Sequence, residues 1–298
     1  MNPFETLSKK EGPAWLPVVA TTVIVGWIYW GTIAHLAQRW SAEAEYSHGF
    51  FVPVVSLAFL WMRREMISGA SETGSWWGLL ILLFGLVLRG MATYYYYTLL
   101  GAISLLPVLA GLATLCFGLA GLRWAAPSIA FLVFMIPLPG FISGLLAHPL
   151  QRLATECSTY LLQIVGVAAV SEGNIILLSE GSIGVVEACS GLRMLILFFA
   201  IATGLAMIVR RPLWERLLIV GSAVPIALCV NILRITTTGI LHEVCGAKVA
   251  DGFFHDVGGL LMGPVALALL LLELKFLSRA LLPASSGPLT LAVDNTPR

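Results

Sequence analysis

The sequence has very little charge. Only 11% of its 298 residues are charged, against about 25% in average soluble domains, and its mean hydropathy is +0.92. The five cysteines form neither a CxxC pair nor a zinc-type spacing, and there is no HExxH motif. The few basic residues form no stripe of the kind that binds nucleic acid. A soluble domain, a zinc protease and a nucleic-acid-binding protein are therefore excluded, and nothing suggests a cofactor or metal.

Apolar residues, 58% of the chain, gather instead in eight segments. A helix needs about 20 apolar residues to cross the hydrocarbon core, and most of the segments approach that length. The second and the last are shorter, so the total is about eight. The segments are Trp15–Leu36, Phe50–Met62, Trp76–Thr93, Tyr97–Ala120, Trp124–Phe141, Gly191–Val209, Trp214–Ile232 and Val257–Leu272. We expect an all-α, polytopic transmembrane helical bundle whose first span is retained.

The distribution of lysine and arginine predicts the orientation. With the N-terminus inside, eleven of the 17 basic residues fall on the cytoplasmic side, including the pairs Lys9–Lys10 and Arg63–Arg64. The positive-inside rule then places both termini in the cytoplasm. We expect a multi-pass protein of the plasma (inner) membrane, with a membrane domain over residues 1–282. Residues 283–298 are rich in Pro, Ser, Gly, Thr and Asn and predict a disordered cytoplasmic tail.

The longest external segment, from Phe141 to Cys189, carries two local patterns. Apolar residues recur at helical spacing and predict an amphipathic helix on or near the outer leaflet. They are Leu150, Leu153, Ala154, Cys157, Leu161, Leu162 and Val165. Two short β-rich runs within 174–187 flank Glu180-Gly181-Ser182 and predict a small hairpin. Its second arm leads to Cys189 at the mouth of the sixth span.

Cys189 is the first candidate for chemistry. Because it stands where a turn feeds a helix start, unpaired backbone N–H groups and the helix dipole favour its thiolate. The preceding Glu187 belongs to the same motif, and Arg193, four residues later, is expected on the same side of the helix. Arg193 either favours the thiolate further or extends to the headgroups. The alternative for Cys189 is a buried structural cysteine.

Arg234 is the second candidate, at the expected outer end of the seventh span. A guanidinium so near hydrocarbon either extends to the headgroups or holds a carboxylate or oxyanion within the protein. Asn231, one helical turn earlier, is placed to orient it.

His255 is the third candidate, at the entrance to the last span. Histidine suits proton transfer near neutral pH, and the adjacent Asp256 is placed to orient the ring. A hydrogen-bonded structural histidine is the alternative. The span count puts Cys189, Arg234 and His255 at the same external boundary, so a nucleophile, a cation and a base share one leaflet.

Six motifs together resemble the exosortase/archaeosortase family of multi-span cysteine transpeptidases, between Tyr46 and Gly259. They are Tyr46-Ser-His-Gly-Phe-Phe-Val-Pro53, Ile136-Pro-Leu-Pro139, Gly173-Asn174-Ile-Ile, Glu187-Ala-Cys-Ser-Gly-Leu-Arg193, Asn231-Ile-Leu-Arg234 and Phe254-His255. The resemblance implies that Cys189 is the nucleophile, Arg234 the essential arginine and His255 the histidine. It also implies a supporting position for His48.

The resemblance further implies the substrate and the reaction. The substrate is an exported protein with a C-terminal sorting signal made of a short motif, a membrane span and a basic tail. Its cleavage forms a thioacyl-enzyme that an acceptor or water resolves, at a site that faces the periplasm or exterior. The expected partners are such proteins and membrane lipids. Two other classes remain open: a transporter, and a structural subunit of a polysaccharide-export system.

Overall fold

The computed structural model describes residues 15–68, 74–179, 181–185, 191–209, 211–252 and 258–280. The tail expected over residues 283–298 lies outside these ranges. The helices are α1 Trp15–Ala42, α2 Phe51–Met62, α3 Glu65–Ser68, α4 Trp77–Tyr94, α5 Thr98–Ile103, α6 Leu105–Phe131, α7 Gly140–Ile164, α8 Gly191–Ile208, α9 Leu213–Cys245, α10 Ala247–Gly252 and α11 Gly258–Ala280. Short 3-10 helices cover Ala44–Phe50 and Leu132–Met135, and three strands lie between α7 and α8. The expected all-α bundle with a small β element is therefore confirmed.

Three helical stretches are long and apolar enough to cross a membrane. They are Trp77–Tyr94, Thr98–Met135 and Leu213–Cys245, and Tyr46–Met62 and Met194–Ile208 are shorter apolar helices. The expectation of about eight spans is not confirmed in the described part of the chain. One reason is length: α2 has 12 residues, which extend only about 18 Å.

The apolar stretch of α6 is a helical hairpin. Gly118 has φ 64° and ψ −154°, outside the helical region. A β-carbon added at Gly121 would collide with the carbonyl oxygen of Ala113. In a continuous helix these two residues, eight apart, would be separated by about 12 Å along the axis, so the chain turns back between them. The first arm packs on α4, and the second packs on α2, where Ser56 Oγ donates to the Ser128 carbonyl over 2.8 Å. The chain thus reverses close to the boundary expected between two predicted spans.

Glycines bring α4 and the first arm of α6 into backbone contact. A β-carbon added at Gly78 would meet the backbone of Leu115, and one at Gly85 would lie 2.8 Å from the Val108 nitrogen. In a membrane, helices gain little from hydrophobic association, and small residues that permit close approach supply packing instead. These glycines therefore hold the first half of the bundle together.

The amphipathic helix expected before Cys189 is α7. Its buried face consists mainly of small or polar residues, namely Gln151, Ala154, Thr155, Ser158, Thr159 and Leu162. Leu153 and Val165, which the sequence pattern placed on the apolar face, are exposed instead. The reason is that α7 packs against α9, where Ser158 Oγ donates to the Ile232 carbonyl over 3.3 Å and Gly239 faces Leu162. Small side chains permit that close crossing.

The expected hairpin is the second half of a three-stranded antiparallel sheet. Strands β2 (Ile175–Leu178) and β3 (Gly181–Gly184) pair with Leu178 opposite Gly181. Strand β1 (Ala169–Glu172), which the sequence analysis did not anticipate, pairs with β2. Gly173, with φ 61°, opens the two-residue turn between them, as a type II′ hairpin turn requires.

Helices α8, α9 and α11 form the second half of the bundle. Their shared core includes Met194 and Phe198 of α8, Ala223, Ala227 and Val230 of α9, and Leu270 and Leu274 of α11. Ser222 Oγ of α9 donates to Glu273 Oε2 of α11 over 2.5 Å. Helix α11 is antiparallel to α9. The six residue steps from Gly252 to Gly258 extend about 21 Å at most, which is too short for the chain to return to the other end of α9 and begin a parallel helix there. It continues to Ala280, beyond the expected end at Leu272.

Candidate active site

Arg234 lies inside α9, not at its end. The predicted end of this span near Ile232 is wrong, because the helix continues to Cys245. No proline or glycine pair interrupts residues 233–245, so the helix has no local reason to stop. Arg234 is about 32 Å along the axis from Leu213, close to the thickness of about 30 Å of the hydrocarbon core.

The guanidinium of Arg234 is enclosed by protein. Arg234 is 7% exposed and Asn231 is 1% exposed, and Arg234 Nη2 donates to Asn231 Oδ1 over 3.2 Å. Thr238 Oγ1 donates to the Arg234 carbonyl over 3.0 Å. An arginine that extends to the headgroups would place its charged end in the interface. The burial of Arg234 favours the other interpretation, in which the guanidinium is a cation held inside the protein.

A polar stripe runs along the same face of α9. Asn231, Arg234, Thr238 and His242 follow one another at intervals of three, four and four residues, which places them on one side of a helix. Within the described ranges, Asn231 Nδ2 and His242 Nδ1 are buried without a hydrogen-bond partner. Buried polar groups are normally paired, so this face retains hydrogen-bonding capacity. No role was predicted for Thr238 or His242, although their spacing from Arg234 places both on this face.

The start of strand β3 approaches this stripe. A β-carbon at Gly181, where β3 begins, would lie 3.1 Å from His242 Cε1. Val185, just beyond the end of β3, belongs to a buried cluster that also contains Ile235 of α9 and Leu162 of α7. The sheet itself packs mainly on α7.

The start of α8 reaches the same level. Gly191 is 17 residues before the end of α8 at Ile208, and Val230 is 17 residues after the start of α9 at Leu213. Because the two helices form an antiparallel pair with the same rise per residue, Gly191 is level with about Val230. Arg193 lies in the first turn of α8. Cys189 and Glu187 lie outside the described residues, in the segment of the sequence between Val185 and Gly191.

His255 and Asp256 also lie outside the described residues, between α10 and α11. Helix α11 resumes at Gly258, 15 residues before Glu273. With Glu273 bonded to Ser222 and the helices antiparallel, Gly258 is level with about Thr237 of α9. The described chain that follows His255 therefore starts at the same end of the bundle as Arg234.

His48 lies in the 3-10 helix Ala44–Phe50 and is 9% exposed. Its Nε2 lies 3.1 Å from the Phe134 carbonyl oxygen, and nearby Trp40 Nε1 donates to the Met135 carbonyl over 2.9 Å. These contacts hold the first helices against the end of the second arm of α6. His48 also lines an apolar cavity between α2 and α8, and its supporting role in the site stays a prediction.

A metal ion has no evident ligand set in the part of the chain that the structure describes. No group of three or more His, Cys, Asp or Glu side chains occurs there in a suitable arrangement.

A family model described as a transmembrane exosortase, of the EpsH type, matches residues 40–272. The chain belongs to the transmembrane exosortase family. No curated protein and no solved structure matches it.

The match covers most of the exosortase fold, from the last turns of α1 into α11. It contains the whole stretch from Tyr46 to Gly259 that carried the resemblance, which is confirmed. It also contains all eight candidate site residues. Family membership and the apolar helices identify this exosortase as a membrane protein.

Proposed function

We propose that this exosortase is a membrane-embedded cysteine peptidase and transpeptidase, with Cys189 as its nucleophile. Its substrates are exported proteins with a C-terminal motif, a membrane span and a basic tail. The observation that supports this proposal is the buried Arg234–Asn231 pair, because the start of α8 at Gly191 is level with about Val230, one turn before Arg234. Cys189 is two residues before Gly191 in the sequence, so little chain separates the thiol from the guanidinium.

The first half of the reaction cleaves the signal. The Cys189 thiolate attacks the scissile carbonyl carbon, a C–S bond forms, and the carbonyl π electrons move to oxygen. Arg234 and backbone N–H groups at the start of α8 stabilise that oxyanion. When the intermediate collapses, the C–N bond breaks and His255 gives a proton to the leaving amine. A thioester between Cys189 and the exported protein remains.

The second half resolves the thioester. An amine, a hydroxyl or water attacks the carbonyl carbon and gives its proton to His255, and the Cys189 thiolate leaves. The enzyme returns to its starting state with one substrate bond exchanged for another. Asp256 orients His255, Asn231 orients Arg234, and Glu187 and Arg193 tune the surroundings of the thiol. His48 supports the fold around the site.

The proposed location follows the distribution of charge. Both termini lie in the cytoplasm, the protein spans the inner (plasma) membrane, and the site faces the periplasm or exterior. The substrate span lies among membrane lipids against the helices, while its motif reaches the outer boundary. A soluble enzyme would not suit this substrate, because the substrate's own span lies in the membrane.

The test is cleavage of an exported protein from the same genome that carries the tripartite signal. Cys189→Ala is expected to abolish cleavage, and mild hydroxylamine is expected to release a thioester-linked adduct from the unmodified enzyme. Cys157→Ala is the matched control, because Cys157 of α7 is a free, partly buried thiol outside the proposed site. Cleavage by Cys189→Ala at the rate of the control would overturn the proposal.

Transport or a purely structural role in polysaccharide export are weaker alternatives. A transporter needs ionisable groups that are available within its spans. The buried Glu215 is 3.8 Å from Arg211, and Glu273 accepts the hydroxyl of Ser222. Glu273 is therefore engaged within the bundle, whereas Glu215 keeps only the long contact with Arg211 and has one buried oxygen without a partner among the described residues. A purely structural role would not require the thiol.

A further inference from the structure

Asn174 touches both the helix α7 and the residue that leads out of the sheet. Its Nδ2 donates to Gln151 Oε1 over 3.3 Å. Its carbonyl accepts the Val185 N–H over 2.8 Å. The residue belongs to the motif Gly173-Asn174-Ile-Ile, which the proposed reaction does not use.

Gln151 is a firm anchor for this contact. It is 6% exposed and lies on the face of α7 that packs against α9. Its carbonyl also accepts the Thr155 hydroxyl over 2.8 Å. The side chain that receives Asn174 is therefore held by a helix that is itself held by α9.

The bond to Val185 extends the pairing of β2 and β3 by one residue. The strands pair up to Ile175 and Gly184, and the Asn174–Val185 bond holds the next residue. Val185 is completely buried, in the cluster that contains Ile235. The direction in which the chain leaves the sheet towards Cys189 is therefore set at this bond.

We propose that Asn174 is a positioning residue for Cys189, because it couples Val185 at the exit of β3, four residues before Cys189 in the sequence, to α7. The inference rests on the proposed function. The Asn174 side chain holds the turn between β1 and β2 to Gln151, and its carbonyl holds Val185. Without the side-chain amide, the turn between β1 and β2 is no longer held to Gln151. Val185, which is bonded to that turn, and the following segment with Cys189 then become more mobile.

A second link between the same helix and the same sheet provides the matched control. Gln163 Nε2 of α7 donates to the Ala169 carbonyl over 2.9 Å, at the point where the chain enters β1. Removal of this amide also loosens the sheet from α7, but it acts at the entrance and not at the exit. A general effect of sheet loosening is therefore expected equally in Asn174→Ala and Gln163→Ala.

The first measurement is alkylation of Cys189 by iodoacetamide across a series of pH values. It uses the full-length protein with the other four cysteines replaced by alanine. We expect Asn174→Ala to slow alkylation about tenfold near neutral pH and to move the pH profile, while Gln163→Ala changes both less than twofold. Gln151→Ala is expected to reproduce the Asn174→Ala profile, and the double variant Gln151→Ala/Asn174→Ala to add nothing further.

The second measurement is turnover of the exported substrate. We expect Asn174→Ala to lower kcat about tenfold and to change KM less than twofold, because the binding surface is kept and the nucleophile is misplaced. Equal effects of Asn174→Ala and Gln163→Ala in both measurements would overturn the positioning role. If Cys189→Ala still cleaves, the proposed function fails, whereas the alkylation profiles still decide whether Asn174 positions the thiol.

Discussion

Arg234 Nη2 donates a hydrogen bond of 3.2 Å to Asn231 Oδ1, one turn earlier on the same helix. Both side chains are almost completely buried. A guanidinium has five donors in a planar fork, and a partner on the same helix restricts its orientation without using them all. The pair is therefore a buried, oriented cation on the polar face of α9.

Asn231→Ala is expected to lower the rate of substrate cleavage about ten- to hundredfold. A hydrogen bond to a charged group is worth about 1.5–3 kcal/mol, and each 1.4 kcal/mol corresponds to about a factor of ten in rate. Leu233→Ala is the control, because Leu233 lies on the same helix and is 60% exposed. The measurement is the initial rate of signal cleavage at equal amounts of folded enzyme. Similar rates for the two variants would contradict the orienting role.

Arg234→Lys is expected to recover less than a tenth of the wild-type cleavage rate. Lysine keeps the positive charge but replaces the planar fork with a compact ammonium that has three donors. The bond to Asn231 and a second bond to the oxyanion then no longer fit one geometry. Arg152→Lys is the control, since Arg152 is on the exposed surface of α7 and pairs with Glu156. Full activity of Arg234→Lys would show that charge alone suffices.

The proposed orientation predicts which cysteines react from outside. Cys245 ends α9 at the end of the bundle that carries Arg234, whereas Cys116 lies beside the Gly118 reversal at the opposite end. Both are free and exposed. In single-cysteine variants, a membrane-impermeant maleimide added to intact spheroplasts is expected to label Cys245 and to label Cys116 only after lysis. Labelling in the reverse order would invert the topology.

Gly78→Ala and Gly90→Ala are expected to change stability in opposite directions. The new methyl group at Gly78 would collide with the Leu115 backbone, whereas Gly90, on the same helix, has no neighbour within 4 Å. Overpacking costs about 1–3 kcal/mol, and an alanine replacing an unhindered helical glycine contributes about 0.5–1 kcal/mol. The measurement is thermal unfolding in detergent. A Gly78→Ala protein as stable as Gly90→Ala would contradict the close α4–α6 packing.

Gly118→Ala is expected to destabilise the protein by about 1–3 kcal/mol. The backbone at Gly118, with φ 64° and ψ −154°, lies in a region that is essentially restricted to glycine. Gly221→Ala on α9 is the control, since Gly221 has a helical backbone and no neighbour within 4 Å. Thermal unfolding of both variants in detergent checks this expectation. Equal unfolding midpoints for Gly118→Ala and Gly221→Ala would show that the chain does not need the reversal at Gly118.

Local patterns predicted much of the secondary structure. The spacing of apolar residues predicted α7, and the β-rich runs around Gly181 predicted the β2–β3 hairpin. Each depends on residues that are close in sequence, so the pattern contains the necessary information. The strand β1 was missed because its four residues, Ala-Val-Ser-Glu, have no strong alternation of their own. It becomes a strand through pairing with β2.

The candidate site was predicted less completely. The contact between Asn231 and Arg234 follows from their spacing on one helix, and it is present. The burial of Arg234, the approach of β3 to His242 and the link between Gln151 and Asn174 join distant parts of the chain. No local pattern contains them, since each depends on how α7, the sheet and α9 pack.

The sequence by itself determined that this is a membrane protein of the exosortase family, because low charge, apolar helix-length runs and ordered motifs are properties of the chain alone. Only the tertiary structure decided that the chain reverses at Gly118, that α9 continues past Arg234, and that the guanidinium of Arg234 is buried. The physical reason is that helix formation follows from local composition, whereas burial of a guanidinium requires surfaces contributed by several helices at once.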